Sequence, residues 1–167
     1  MDDDIEIDDI AVIKNYGGGV IHEAALLGDC EIVLALCLGA EGADLANQVG
    51  EGGAAPLHCA CRSRRGEPAV RPLVEELGAD VNARDAEGKT PLHWCAAGGL
   101  RLGAVVLLGR GADPDARDSG GNTPLHAAAR AAQPLIPLLL AYGADPTIKN
   151  NAGDIYSDLE SPAVATA

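Results

Sequence analysis

Short apolar runs return along this chain at a nearly constant interval, separated by polar stretches rich in Gly, Asp and Asn. Val105-Val106-Leu107-Leu108 precedes Gly111, and Leu138-Leu139-Leu140 precedes Gly143. Ahead of each stands a run of small residues, Cys95-Ala96-Ala97 or Ala127-Ala128-Ala129. A four-residue word opens each small run. Thr90-Pro91-Leu92-His93 recurs 33 residues later as Thr123-Pro124-Leu125-His126, and 35 residues earlier as Ala55-Pro56-Leu57-His58. Val20-Ile21-His22-Glu23-Ala24-Ala25 is a degenerate fourth copy. Gly-Ala-Asp forms a second periodic word at 42–44, 78–80, 111–113 and 143–145, and both Asp80 to Thr90 and Asp113 to Thr123 span ten residues. The pattern predicts paired helices joined by turns, repeated at a fixed period.

Local chemistry supports each boundary. Thr90 and Thr123 stand as N-caps whose hydroxyls accept from free backbone N–H groups, and the following Pro occupies the first helical position, where its missing N–H costs nothing. Leu92 and Leu125 point into the stack, and the small run keeps the first helix thin enough for close packing. A second helix follows and ends at Gly111 or Gly143, a glycine suited to a left-handed C-cap. The ten residues from Asp80 to Lys89 then project as a turn or hairpin.

These words resemble the ankyrin repeat, and the resemblance covers roughly residues 19 to 160. It implies an all-α repeat solenoid, a stack of about four to five helix-turn-helix units with hairpin or turn tips. The expected layout is an acidic N-terminal tail or cap at 1–16, a repeat domain at 17–160 and a short tail at 161–167. Within the domain the repeats fall at 19–49, 50–84, 85–117 and 118–149, with a partial one at 150–160 acting as the C-terminal cap. The copies are unequal. About two extra residues around Arg62 to Pro68 predict a longer loop between two helices. Gly39 to Asp44 offers two helix ends, Gly50-Glu51-Gly52-Gly53 lacks a regular hairpin, and Pro134 and Pro137 fit a second helix beginning near Pro134.

Composition explains the packing and narrows the function. The chain is 47% hydrophobic but only 2% aromatic, with one Trp, three Tyr and no Phe, as alanine-lined helix pairs require. Its formal charge of −13 disfavours nucleic acid. No apolar run reaches the roughly 18 residues of a membrane span, and Met-Asp-Asp-Asp is unlike a signal peptide, so the expected setting is cytoplasmic or nuclear with reduced thiols. Six acids lie within Asp2 to Asp9, interleaved with Ile5, Ile7 and Ile10. They read either as a solubilising tail or as a cap in which these residues and Ile13 cover the first repeat.

Candidate chemistry is sparse. Ala83 to Thr90 approximates a phosphate loop, but a helix end precedes it, Asp85 and Glu87 oppose polyphosphate, and the equivalent Gly121-Asn122-Thr123 lacks lysine. His22, His58, His93 and His126 occur once per repeat. Successive copies would lie about 10 Å apart, too far to share a metal, and the resemblance implies that they bond to backbone between repeats. Cys59 and Cys61 diverge on a helix and read as inert thiols. The sequence therefore offers no catalytic, metal or cofactor residue.

The resemblance implies a non-enzymatic module, monomeric by itself, that binds a protein on the concave face of tips and first helices. Carried over position by position, the partner-binding candidates are Arg62, Arg84, Glu87, Lys89, Trp94, Asp118, Ser119, Asn122 and Arg130. Ser63, Asp85, Ala97, Lys149, Asn150, Asn151 and Asp154 share the same face. Arg62-Ser63-Arg64-Arg65 is either a solvated loop or a docking patch for an acidic or phosphorylated segment, the chain's own acidic tail included. Trp94 is either a packing residue or an interface anchor. An adaptor is the leading role. Chains of this size also resemble cyclin-dependent kinase inhibitors, which makes an enzyme inhibitor one alternative and a structural subunit of a large assembly another.

Overall fold

A computed structural model describes residues 19–37, 42–62, 64–131 and 134–159. The acidic segment 1–16, Gly39 to Glu41, Ser63 and the tail 161–167 lie outside the described residues. The elements follow in the order α1 (Gly19–Leu27), α2 (Cys30–Cys37), α3 (Gly42–Ala46), α4 (Pro56–Ala60), α5 (Glu67–Glu75), α6 (Pro91–Gly98), α7 (Arg101–Gly109), α8 (Pro124–Arg130) and α9 (Ile136–Ala141), with short 3-10 turns at Glu51–Gly53 and Tyr156–Leu159. No strand occurs among the described residues, so the tips are turns rather than hairpins.

The helices pair as α1 with α2, α4 with α5, α6 with α7 and α8 with α9. First helices stack on one another through α1, α4, α6 and α8, and second helices α2, α5 and α7 form a parallel layer behind them. The Tyr156–Leu159 turn packs on α8. Between the layers lies a continuous core, with a smaller cluster around Ile21 at the first repeat. Leu57, Leu92 and Leu125 occupy the same place in successive repeats, followed by the buried small residues Ala60-Cys61, Cys95-Ala96 and Ala128-Ala129. Leu73, Leu107 and Leu139 come from the second helices. Side chains of this size let neighbouring helices approach closely, which gives the scarcity of aromatics its physical cause.

Each second helix from α5 onward ends where expected, with Gly78, Gly111 and Gly143 at φ of 66°, 85° and 89°. Three features depart from the sequence reading. Gly42-Ala43-Asp44 opens the extra helix α3 instead of closing α2. Helix α9 starts at Ile136, two residues beyond Pro134, so Pro137 rather than Pro134 takes the first-turn position that needs no N–H. The glycine-rich tip is regular: Gly50 N–H donates to the Ala54 carbonyl at 2.8 Å. The same closure joins Asp85 to Lys89, Asp118 to Asn122 and Asn150 to Asp154.

The caps add a ring to the expected threonine, which forms a reciprocal box with the histidine three residues on. His93 Nδ1 accepts from Thr90 N–H at 3.1 Å and from the Thr90 hydroxyl at 2.9 Å, and His126 does the same for Thr123 at 3.1 and 2.9 Å. The imidazole sits three residues on and reaches back, so the ring ties the threonine backbone and hydroxyl together at the helix start.

The longer connection between α4 and α5 is present, with turns at Cys61, Arg62 and Arg64 to Gly66, whereas α6 and α7 are separated only by Gly99 and Leu100. Gly66 lets the loop return against α1. A Cβ there would sit 2.5 Å from the Ala60 carbonyl oxygen and 2.8 Å from that of Ala25. Opposite it, a Cβ on Gly28 would run into the Arg65 carbonyl.

Candidate interaction surface

Three sets of repeated bonds build the face formed by the tips and first helices. In the deepest, each histidine faces the next tip. Nδ1 of His58, His93 and His126 accepts a backbone N–H, so Nε2 carries the proton and donates forward. His22 reaches the Ala54 carbonyl at 2.9 Å, His58 reaches Lys89 and Ala83 at 3.1 Å, His93 reaches Asn122 at 3.0 Å and His126 reaches Asp154 at 3.0 Å. Burial holds His58 and His93 below the ordinary 6.5, keeping the neutral form this geometry needs.

The second set joins backbone to backbone. Ala86 N–H donates to the Gly52 carbonyl, Ser119 N–H to Glu87 and Asn151 N–H to Gly120, at 2.9 to 3.0 Å. The third uses side chains: the Arg84 guanidinium donates to the Gly88 and Arg117 carbonyls, and Arg117 donates to the Lys149 carbonyl. Arg117 was absent from the sequence candidates, although it repeats Arg84 at the 33-residue period. Behind this face, Asn47 and Asn82 each bridge to the following Gly-Ala-Asp word.

On this locked framework the candidates separate into two groups. Arg84, Asp118 and Asn122 are engaged in holding the tips. Asp118 accepts from the Asn122 backbone and side chain at 2.8 to 3.2 Å, while Arg84 spans two carbonyls. Ser119 and Glu87 are exposed at the tips, and Glu87 pairs with Lys89 at 2.6 Å.

The second group gathers around Trp94. Its half-buried ring lies 5.3 Å from the Arg62 guanidinium and 5.1 Å from Lys89 Nζ, within cation–π range of both. Its Nε1–H donates to Asp85 at 3.0 Å. A depression of about 280 Å³ opens beside it, lined by Lys89, Trp94, Ala97, Asn122, Ala127 and Arg130 among others. A second depression, of about 480 Å³, lies one repeat earlier between His22, Gly50, Cys59 and Arg62. The structure thus brings Arg62, Lys89, Trp94 and Arg130 to one face, and Asp85 emerges as the residue that fixes the indole.

The phosphate-loop-like stretch is one of these tips. Asp85 already accepts the Glu87 and Lys89 backbone N–H groups, at 3.0 and 2.9 Å, that a phosphate would require. Burial pushes the Cys59 thiol up, and Cys61 well up beside Cys95, so these sulfurs stay protonated. Among the described residues no His, Cys, Asp or Glu grouping could hold a metal, and no helix is long and apolar enough to cross a membrane.

Stacked helix pairs, turn tips and a histidine relay define a repeat protein whose exposed face is a surface for contact. The family model for ankyrin repeats matches residues 21–118 and 86–150, and the chain belongs to the ankyrin-repeat family. Among curated proteins it is similar to two ADP-ribosylation factor GTPase-activating proteins of Arabidopsis thaliana. It is 48% identical to AGD2 and 42% identical to AGD4, each over 58 residues. Those residues are 35% of this chain and 7% of either relative.

Proposed function

We propose that this chain is a non-enzymatic adaptor that binds a protein partner on the face of tips and first helices, with Trp94 as its central anchor. The observation that carries the proposal is the depression beside Trp94, where an indole held by Asp85 meets small alanines and flanking cations. Tryptophan and arginine dominate binding energy in such settings, because the indole buries a large area with few rotatable bonds and the guanidinium pairs with carboxylates and stacks on rings. Arg62, Lys89 and Arg130 surround the anchor, while Glu87 and Ser119 stand at the rim. Arg84, Asp118 and Asn122 contribute by holding the tips in place. The likeness to GTPase-activating proteins is confined to 7% of their length, and their named activity forms no part of the proposal.

The test compares proteins recovered from a lysate by the wild type and by Trp94→Ala, Lys89→Glu and Arg130→Glu, each shown by circular dichroism to be folded. A partner recovered by the wild type is then purified and its affinity measured. We expect Trp94→Ala to weaken binding by about tenfold or more. Unchanged affinity in all three variants refutes the assignment.

A further inference from the structure

We infer that the segment this face receives is an extended acidic peptide of the partner, with carboxylates about six residues apart bracketing one aliphatic side chain. The inference deepens the interaction role proposed above and rests on it.

The spacing comes from the repeat. Arg62, Ala97 and Arg130 occupy the same position of successive repeats, Ala97 and Arg130 near the ends of α6 and α8 and Arg62 in the turn just after α4, at intervals of 35 and 33 residues, and all three are exposed. Neighbouring helices pack about 10 Å apart, which puts the backbones of the two arginines about 20 Å apart across two steps, with long side chains that can close on a ligand from either end. An extended chain rises about 3.3 Å per residue, so about six residues bridge them. Between the arginines the middle repeat presents Ala97, too short to block the path, and the indole of Trp94 beside the depression.

The charge follows from which groups are already paired. Asp85 holds two tip N–H groups and the indole, Asp118 holds Asn122, and Glu87 pairs with Lys89. Arg62 and Arg130 have no ion-pair partner among the described residues. Those three acids are thus engaged locally, whereas Arg130 is open and Arg62 lies over the indole with no carboxylate to pair it, in a chain whose total charge is −13. At physiological ionic strength charges beyond about 8 Å are largely screened, so the arginines govern a bound carboxylate more than the total charge does. The small residues Ala97 and Ala127 and the indole then receive the aliphatic side chain that lies between the two carboxylates.

Trp94 is the single tryptophan, so its emission reports binding in the full chain. The probe is the synthetic peptide acetyl-DGSLSGE-amide, whose acids stand about six residues apart, with acetyl-SSDLESS-amide as the short-spaced control of equal length and charge, a serine-for-leucine version and a version with lysines for the acids. We expect a saturable emission change with the first peptide. Binding should be about tenfold weaker for the short and serine versions and for Arg62→Glu or Arg130→Glu, and absent for the lysine version.

No saturable change, or wild-type affinity in either arginine variant, overturns the inference. So does tighter binding of an oligothymidylate that depends on the same arginines, because the face would then take single-stranded nucleic acid. Replacing Asp2, Asp3, Asp4, Asp8 and Asp9 with Asn is the remaining arm. A tenfold gain in peptide affinity there would identify the chain's own acidic segment as the occupant and overturn the partner assignment. If Trp94→Ala still abolishes capture of the protein partner while the acidic peptide fails to compete, the interaction role stands and the acidic chemistry falls.

Discussion

The α4–α5 and α6–α7 pairs carry out the same task with different residues. In α6, Thr90 adds a hydroxyl bond to the His93 ring, the link to α7 is two residues long, and Asp85 organises the preceding tip. In α4 the cap is Ala55, the link to α5 is a glycine-dependent loop, and Gly50 stands where Asp85 does. Yet His58 still accepts the Ala55 N–H at 3.0 Å and still reaches the next tip, and the Gly50 tip closes at 2.8 Å. The histidine and backbone bonds define the repeat, and the threonine and tip aspartate reinforce it. Degenerate copies remain in the stack because they retain the first set.

The largest effect expected from this comparison is on the histidines. His58→Ala and His93→Ala each leave a buried N–H and carbonyl unpaired beside a cavity. Each should cost about 2–4 kcal/mol in urea unfolding, with the irregular repeat no less sensitive. If His58→Ala is nearly neutral, the shared scaffold does not extend to α4. Gly66→Ala should come next, at about 1–3 kcal/mol, because the added Cβ meets the rigid backbone of Ala60 and Ala25. Gly98→Ala, whose Cβ would meet only the Leu100 side chain at 3.3 Å, should cost less and is the matched control from the regular pair.

Acid should act on both pairs together. Burial lowers the folded-state values of His58 and His93 beneath 6.5, so the unfolded chain binds more protons as pH falls through 6.5. The stabilisation is present above 6.5 and is lost below it, by at most about 1.4 kcal/mol per histidine per pH unit. Urea midpoints at pH 7.5 and 5.5 check the direction, and a rise on acidification would contradict it. The smallest effect is the sharpest test. Thr90→Ala should destabilise by about 0.5–1.5 kcal/mol, and Ala55→Thr should recover part of that amount. A destabilising Ala55→Thr would mean that the two caps differ in more than one hydroxyl.

Much of this architecture is legible in the residues. The 33-residue period, the Pro at the start of α6 and α8, the terminal glycines and the alanine-lined interior are local or periodic features, and the backbone follows them. The misplaced features were local as well: a glycine that opens α3, and a proline whose partner, Pro137, proved the better helix starter. Neither residue type alone distinguishes the start of a helix from its end when two candidates stand a few residues apart.

The site was legible only as a roster. Arg62, Lys89, Trp94 and Arg130 could be named from their repeat positions, but not that two cations flank one indole while Arg84 is drawn into the tips. The sequence determined the period, the small-residue core and the residues at each repeat position, because these depend on neighbours within one helical turn or one repeat. Tertiary structure alone decided the partners, from His93 on the carbonyl of Asn122 to Arg84 on that of Arg117. Those contacts join residues 29 and 33 positions apart, and they form only once stacking has set one repeat against the next.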